Sequence, residues 1–159
     1  MRILAIDDDQ FILQLLKEII SHIGEHTLET AESGSEALAI IRDAPAFDCI
    51  LLDFQMPKMN GVEVCRAVRL IDGYDQTPVV MLTAMSEKRY IDAAFLAGAT
   101  DYINKPFEIS DLRVRLGVIS SLVAARRESG MILSPISSGD RARVASTPLS
   151  LYKPFEIRD

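Results

Sequence analysis

The chain has 159 residues, 48% hydrophobic and 25% charged, which suits one globular domain plus a remainder and excludes two full-sized domains. With 23 acidic against 17 basic side chains the formal charge is −6, and such a surface disfavours non-specific binding to a phosphate backbone. The two cysteines, Cys49 in an apolar run and Cys65 on a helical stretch, read as buried thiols in a reducing compartment and not as a disulfide framework or a metal site.

Apolar runs recur along the chain, each followed by a helical pattern. Ile3 to Ile6 is the first, closed by Asp7-Asp8-Asp9. This opening is unlike a signal peptide, and no stretch approaches the roughly 18 apolar residues of a membrane span, so a cytoplasmic protein without membrane contact is expected. Phe11 to Ile23 carries Leu15, Leu16, Ile19, Ile20 and Ile23 at helical spacing and stops at Gly24. A weaker strand, His26 to Ala31, leads through Ser33-Gly34-Ser35 into a helix from Glu36 to about Arg42, broken by Pro45. Cys49 to Leu52 is the clearest strand and ends in Asp53.

A loop with Met56-Pro57 and Gly61 then precedes a helix from Val62 to Ile71. Val79 to Leu82 follows Pro78 and ends at Thr83-Ala84, and a helix from about Glu87 to Ala97 stops at Gly98. Asp101 to Ile103 forms a short strand before Lys105-Pro106-Phe107, and the last helix runs from Ile109 to about Glu128. Strands that are continuously apolar imply helices on both sheet faces, and strand–helix alternation with right-handed crossovers implies a parallel, doubly wound α/β sheet of five strands.

Residues 1–127 are expected to form the domain, and 128–159 a linker, a C-terminal extension or the truncated start of an output region. Gly130, Pro135, Gly139, Pro148 and several serines mark the change. Lys153-Pro154-Phe155-Glu156-Ile157 repeats Lys105-Pro106-Phe107-Glu108-Ile109, with Asp159 matching Asp111. Coincidence or local convergence is the first reading of that repeat, and a docking segment that mimics the first copy is the second.

In open parallel α/β sheets, sites form beyond the carboxyl ends of the strands. Here those ends deliver Asp7, Asp8 and Asp9, then Asp53, Thr83 and Lys105. Carboxylates gathered in one cleft repel one another unless a cation neutralises them, and oxygen-only ligands select a hard ion such as Mg2+. A dication beside a carboxylate, flanked by Lys and Thr, is an arrangement for phosphoryl transfer. Taken singly, most of these residues have plainer explanations: Asp9 as a helix N-cap, Thr83 as a capping hydroxyl, Lys105 as a solvated lysine. Together they leave those explanations little room.

In this combination the residues resemble the receiver domain of two-component response regulators. The likeness covers about residues 1–127 and rests on Asp7-Asp8, Leu52-Asp53, Met56-Pro57 through Gly61, Thr83-Ala84, and Tyr102 to Pro106. It implies a flavodoxin-like fold with strand order 2-1-3-4-5. It further implies that Asp53 accepts a phosphoryl group from a histidine kinase or phosphotransfer protein. Asp8, Asp53 and the backbone carbonyl of Gln55 would bind Mg2+, with Asp7 ordering a metal-bound water. Lys105, joined to Pro106 by a cis bond, would contact the phosphoryl group. Thr83 would move toward that group and Tyr102 would swing inward, making a switch that promotes its own phosphorylation and dephosphorylation and is otherwise no enzyme. Gln55 and Met85 occupy places where the family tunes the phosphoryl lifetime, and apolar Met85 implies slow self-hydrolysis. Small Ala84 leaves the site open to a phosphodonor.

Ile109, Leu112, Leu116, Ile119 and Val123 form an apolar stripe on the last helix. The helix runs longer than sheet coverage needs, and by resemblance the fourth helix, fifth strand and fifth helix offer a homodimer surface. Arg113, Arg115, Arg126, Arg127, Arg141 and Arg143 are expected to be solvated or ion-paired and not to contact DNA, since no helix-turn-helix fits the remaining length. A competing reading is a haloacid-dehalogenase-like phosphatase, with Asp7 as nucleophile and Asp9 as general acid. That reading lacks a further acidic pair beyond Lys105 and leaves Asp53 unused. A flavodoxin-like nucleotide binder lacks its glycine-rich phosphate loop.

Overall fold

The computed structural model describes residues 1–129; the linker, Arg141, Arg143 and the repeat at 153–157 lie outside the described residues. Strands and helices alternate as β1 (Arg2–Ile6), α1 (Gln10–Ile23), β2 (Thr27–Ala31), α2 (Gly34–Asp43) and β3 (Cys49–Asp53). They continue as α3 (Gly61–Arg69), β4 (Val79–Thr83), α4 (Lys88–Leu96), β5 (Asp101–Asn104) and α5 (Ile109–Glu128). The strands form one sheet of order β2-β1-β3-β4-β5, and every pairing is parallel. This is the doubly wound five-stranded arrangement that the resemblance implied.

The two-residue period of a strand divides the core between the sheet faces. Leu4, Ile6, Ile50, Leu52, Val79 and Met81 point to the layer of α2, α3 and α4. Ile3, Ala5, Cys49, Leu51, Val80 and Leu82 point to the layer of α1 and α5. Both cysteines are free and buried, as expected. Each fully buried aliphatic side chain contributes about 1.5–3 kcal/mol relative to exposure, so the three central strands are the strongest part of the molecule. β2, at the sheet edge, buries only Ala31 fully, which is why its apolar pattern is weak.

The helices begin where side chains satisfy their first amides. Asp9 caps α1 by accepting from the Phe11 amide at 2.8 Å, and Ser33 caps α2 by accepting from Glu36 at 3.2 Å. Asn60 and Glu63 close a reciprocal capping box on α3. On α5, Leu112, Leu116, Ile119 and Val123 are buried, but Ile109 is 54% exposed. The stripe drawn from the sequence is therefore one residue too long, because Ile109 opens the helix at its solvent-facing end. Leu15 departs in the same way and lies on the outer side of α1.

Gly61 fixes the return of the loop that follows β3. Its amide donates to the Phe54 carbonyl at 2.9 Å, and a Cβ there would overlap the backbone oxygen of Asp53. Backbone cannot yield as a side chain can. Gly61→Ala is expected to lower the unfolding free energy by about 1–3 kcal/mol in urea denaturation. Gly34→Ala, whose new methyl meets the side chains of Val64 and Met59, is expected to cost less. Equal costs would refute this account of the loop.

Candidate functional site

The register of the sheet brings the strand tips level. Ile6 lies opposite Leu52, Asp53 opposite Leu82, and Thr83 opposite Asn104. Residues just beyond these positions therefore converge at one edge. Asp7 follows β1 and is 1% exposed, Asp53 ends β3 at 5%, and Thr83 ends β4 at 3%. Asp8 is exposed, and Lys105 reaches in after β5.

Lys105 Nζ donates to Asp7 Oδ2 and to Asp53 Oδ1, each at 2.6 Å. Asp7 Oδ1 also accepts from the Asp9 amide at 2.9 Å, so its carboxylate is held from two sides. Asp9 itself is spent as the cap of α1, its plainer reading. Asp7, Asp8 and Asp53 each offer an oxygen within 4.8 Å of the others. Gln55 is exposed in the loop two residues beyond Asp53.

Burial pushes the Asp53 carboxyl above the ordinary aspartate range. The hydrogen bond and charge of Lys105 oppose that shift, while the charges of Asp7 and Asp8 reinforce it. Lys105 is raised as well: burial would lower it, but its bonds to Asp53 and Asp7 and their charges outweigh burial. One ammonium among three carboxylates leaves two negative charges uncompensated at close range. An all-oxygen donor set with that residual charge fits a hard divalent cation.

The hydroxyl of Thr83 is engaged with its own loop. It accepts from the Met85 amide at 2.9 Å and lies 3.4 Å from the Met85 carbonyl. The Thr83 carbonyl accepts from the Lys105 amide at 2.7 Å, tying the two strand tips together. The Lys105-Pro106 bond is cis, as the resemblance implied. Tyr102 is half-buried, packs against the core layer of α2 to α4, and meets Phe95 edge-on with ring centres 6.2 Å apart. One contact went unread in the sequence. Phe54, directly after Asp53, meets Tyr90 of α4 edge-on at 5.7 Å, and the pair of aromatics 36 positions apart carries no local signal.

Comparison with known proteins accords with this geometry. The family model for the response regulator receiver domain matches residues 3–117. The chain belongs to the response regulator receiver domain family. Response regulator MprA of Mycobacterium leprae is 40% identical over 117 residues, 73% of this chain and 49% of that protein. The chain thus spans about half the length of the curated relatives it matches. Among solved structures, the Vibrio cholerae chemotaxis protein CheY4 is 36% identical with a TM-score of 0.70, covering 74% of this chain and 97% of that one. NtrX from Brucella abortus is 27% identical with a TM-score of 0.72, covering 83% of this chain and 29% of its own. Membership sets aside the phosphatase reading, in which Asp53 had no part. The matched span ends inside α5, which the receiver continues to Glu128.

The raised carboxyl of Asp53 has a consequence for receiver stability. A folded pKa above the unfolded one contributes stability at acid pH that is lost as pH rises through the ordinary aspartate range toward the raised value. Ionised Asp53 therefore costs stability at neutral pH. Asp53→Asn, in a chelating buffer, is expected to be more stable than wild type at neutral pH, with the difference closing in acid. Urea midpoints across pH test this, and a less stable Asp53→Asn at neutral pH would overturn it.

Proposed function

We propose that this receiver is a phosphorylation-dependent switch of a two-component system, with Asp53 as the phospho-acceptor. The observation that carries the reading is the buried Asp53 carboxylate, bonded to Lys105 and flanked by Asp7 and Asp8 at one sheet edge. A carboxylate oxygen of Asp53 attacks the phosphorus of a phosphohistidine on a histidine kinase or phosphotransfer protein. The O–P bond forms as the P–N bond breaks, and the freed imidazole nitrogen takes a proton from solvent.

Asp7, Asp8, Asp53 and the Gln55 carbonyl would hold Mg2+, which supplies charge neutralisation that lets two anions meet. Lys105, already bonded to Asp53, would follow the new charge onto a phosphoryl oxygen. Thr83 sits at the next strand tip, and its hydroxyl hydrogen, which faces the Met85 carbonyl at 3.4 Å, must turn away from Met85 to donate to that oxygen. This exchange alters the β4–α4 loop, and with Tyr102 packed beneath α4 it is the route from Asp53 to the surface. Ala84 is exposed and small, so a donor can approach, and half-buried Met85 cannot orient an attacking water. Slow self-hydrolysis follows from that.

The outward face of α4 and α5 carries Phe95, Leu96, Val114, Val118 and Leu122 as exposed apolar side chains. We read this face, with β5, as a homodimer surface controlled by Asp53. Of the basic side chains, Arg115 pairs with Asp101 and Arg127 with Asp48, while Arg126 donates to the Gln76 carbonyl. These engagements support a segment that works through protein and not nucleic-acid contacts, ahead of an output domain in a longer chain. No helix among the described residues is long and apolar enough to cross a membrane, which fits a cytoplasmic place beside a kinase.

Acetyl phosphate or beryllofluoride with Mg2+ is expected to modify wild type once, at Asp53, by intact mass and peptide mapping. Asp53→Asn should abolish the modification and Asp8→Asn should weaken it severely. Repeated turnover that requires Asp7 would overturn the reading. Sedimentation with beryllofluoride is expected to show a dimer for wild type and a monomer for Val118→Asp. An unchanged wild-type monomer would refute the dimer.

A further inference from the structure

α4 is held very differently at its two ends. At the carboxyl end, the guanidinium of Arg69, the last residue of α3, is engaged by backbone carbonyls. Nε and Nη2 donate to the Gly98 carbonyl at 3.0 and 2.6 Å, and Nη1 donates to those of Tyr74 and Thr77 at 2.6 and 2.7 Å. The cation thereby lies just beyond the negative end of α4 and bridges it to the α3–β4 loop. Gly98 is shaped to receive it. Its φ of +99° suits glycine, and a Cβ there would press on Nε, Cγ and Cδ of Arg69. Cys65 Sγ adds a weak bond to the Ala97 carbonyl at 3.4 Å.

At the amino end, Glu87 occupies the cap position without a side-chain bond, and no acidic residue sits in the first turn. Lys88 and Arg89 stand there instead, cations at the positive end of a helix dipole. They are offset by exposed pairs, Lys88 with Asp92 and Arg89 with Glu87, of the kind that contribute little. Along the helix itself only Ala94 is buried. Tyr90 rests its ring edge against Phe54, the residue after Asp53.

We infer that Arg69 is a positioning residue that anchors the carboxyl end of α4, so that chemistry at Asp53 moves the amino end about a fixed point. The inference rests on the reading of Asp53 as phospho-acceptor. Arg69 touches nothing that reacts. It acts by deciding which half of α4 yields when the Thr83–Met85 loop and Phe54 shift. Without it, both ends would answer and the displacement would spread into the start of β5, since Thr100 follows directly and its amide bonds to the Val79 carbonyl.

The test is hydrogen exchange on the full chain for wild type, Arg69→Gln and Arg69→Lys, each with and without beryllofluoride and Mg2+. Without the ligand, Arg69→Gln is expected to speed exchange at the Ala97, Gly98 and Ala99 amides about tenfold or more, leaving β1 and β3 unchanged. Arg69→Lys should fall between, because an ammonium keeps the charge but spans fewer carbonyls. A uniform loss of protection across the domain would mean a merely structural role and would overturn the inference. With the ligand, wild type should change at 84–91 and stay still at 97–100, whereas Arg69→Gln should change at both. Movement at both ends in wild type would also overturn it. If the ligand altered nothing in wild type, the phospho-acceptor reading would fail, and the anchor would still be judged on the ligand-free comparison. Arg69→Lys serves that comparison should Arg69→Gln fail to fold.

Discussion

Uncompensated negative charge at one edge of a parallel sheet is the constraint on which this molecule turns. Two almost fully buried carboxylates, Asp7 and Asp53, share the Lys105 ammonium where solvent dilutes their fields little, and the exposed Asp8 stands beside them as a third. Lys105 bridges the two buried acids and restrains their repulsion, yet it cannot cancel the third. Such a cluster is not a device for stability. Removing a partner from a buried charged group is costly, and keeping all of them is close to neutral at best. What the arrangement supplies is a standing preference for added positive charge, together with a carboxyl that burial raises above the ordinary aspartate range.

A cluster that repels itself needs a frame that does not give. The frame is β1, β3 and β4, whose side chains interlock with helices on both faces so that neither layer can slide without opening voids. The strained loop beyond β3 is built against this frame. Lys58 holds a left-handed backbone at φ 66°, Gly61 lies against the Asp53 carbonyl, and the Asn60–Glu63 box starts α3 at once. These features pin the backbone that follows Asp53. The flanking elements are looser: β2 is half-exposed, and α4 buries a single residue. Rigidity is spent on the acid cluster, and mobility is left for the periphery.

The parts of this design that could be read in the sequence share a property: each is a local change of character. An apolar run that stops at Asp7, Asp53 or Thr83 announces both a strand and the residue at its tip, so the site residues and the fold were legible together. Asp9 and Ser33 announce their helices by the same local logic. Apolar stripes were legible only to within a turn, since periodicity says which side of a helix is apolar and not where the sheet beneath it ends. Ile109 and Leu15 fell outside for that reason. Arg69 was illegible because its partners are backbone carbonyls 5, 8 and 29 positions away, and a carbonyl has no residue signature. The engagement of Thr83 with Met85 was hidden too, for a hydroxyl beside a loop can bond in several directions.

The bond between Thr83 and Met85 sets the scale of any switch in this fold. A neutral hydrogen bond contributes about 0.5–1.5 kcal/mol net, so exchanging it for another neutral bond cannot bias the domain strongly. Carrying a two-state population from 1:99 to 99:1 takes about 5.5 kcal/mol. The difference must come from charge. Hydrogen bonds to an ionised group are worth about 1.5–3 kcal/mol each, and on the proposed reading both Lys105 and Thr83 would make them to a phosphoryl oxygen. Lys105 gives up its bond to Asp53 and Thr83 its bond to Met85 in the exchange, so the net gain is only part of that amount and biases the domain without any large rearrangement of the core. The Lys105 amide is bonded to the Thr83 carbonyl, so the two residues cannot respond independently. Placing both responses on adjoining strand tips makes the small local energies add where they are needed, at the start of α4.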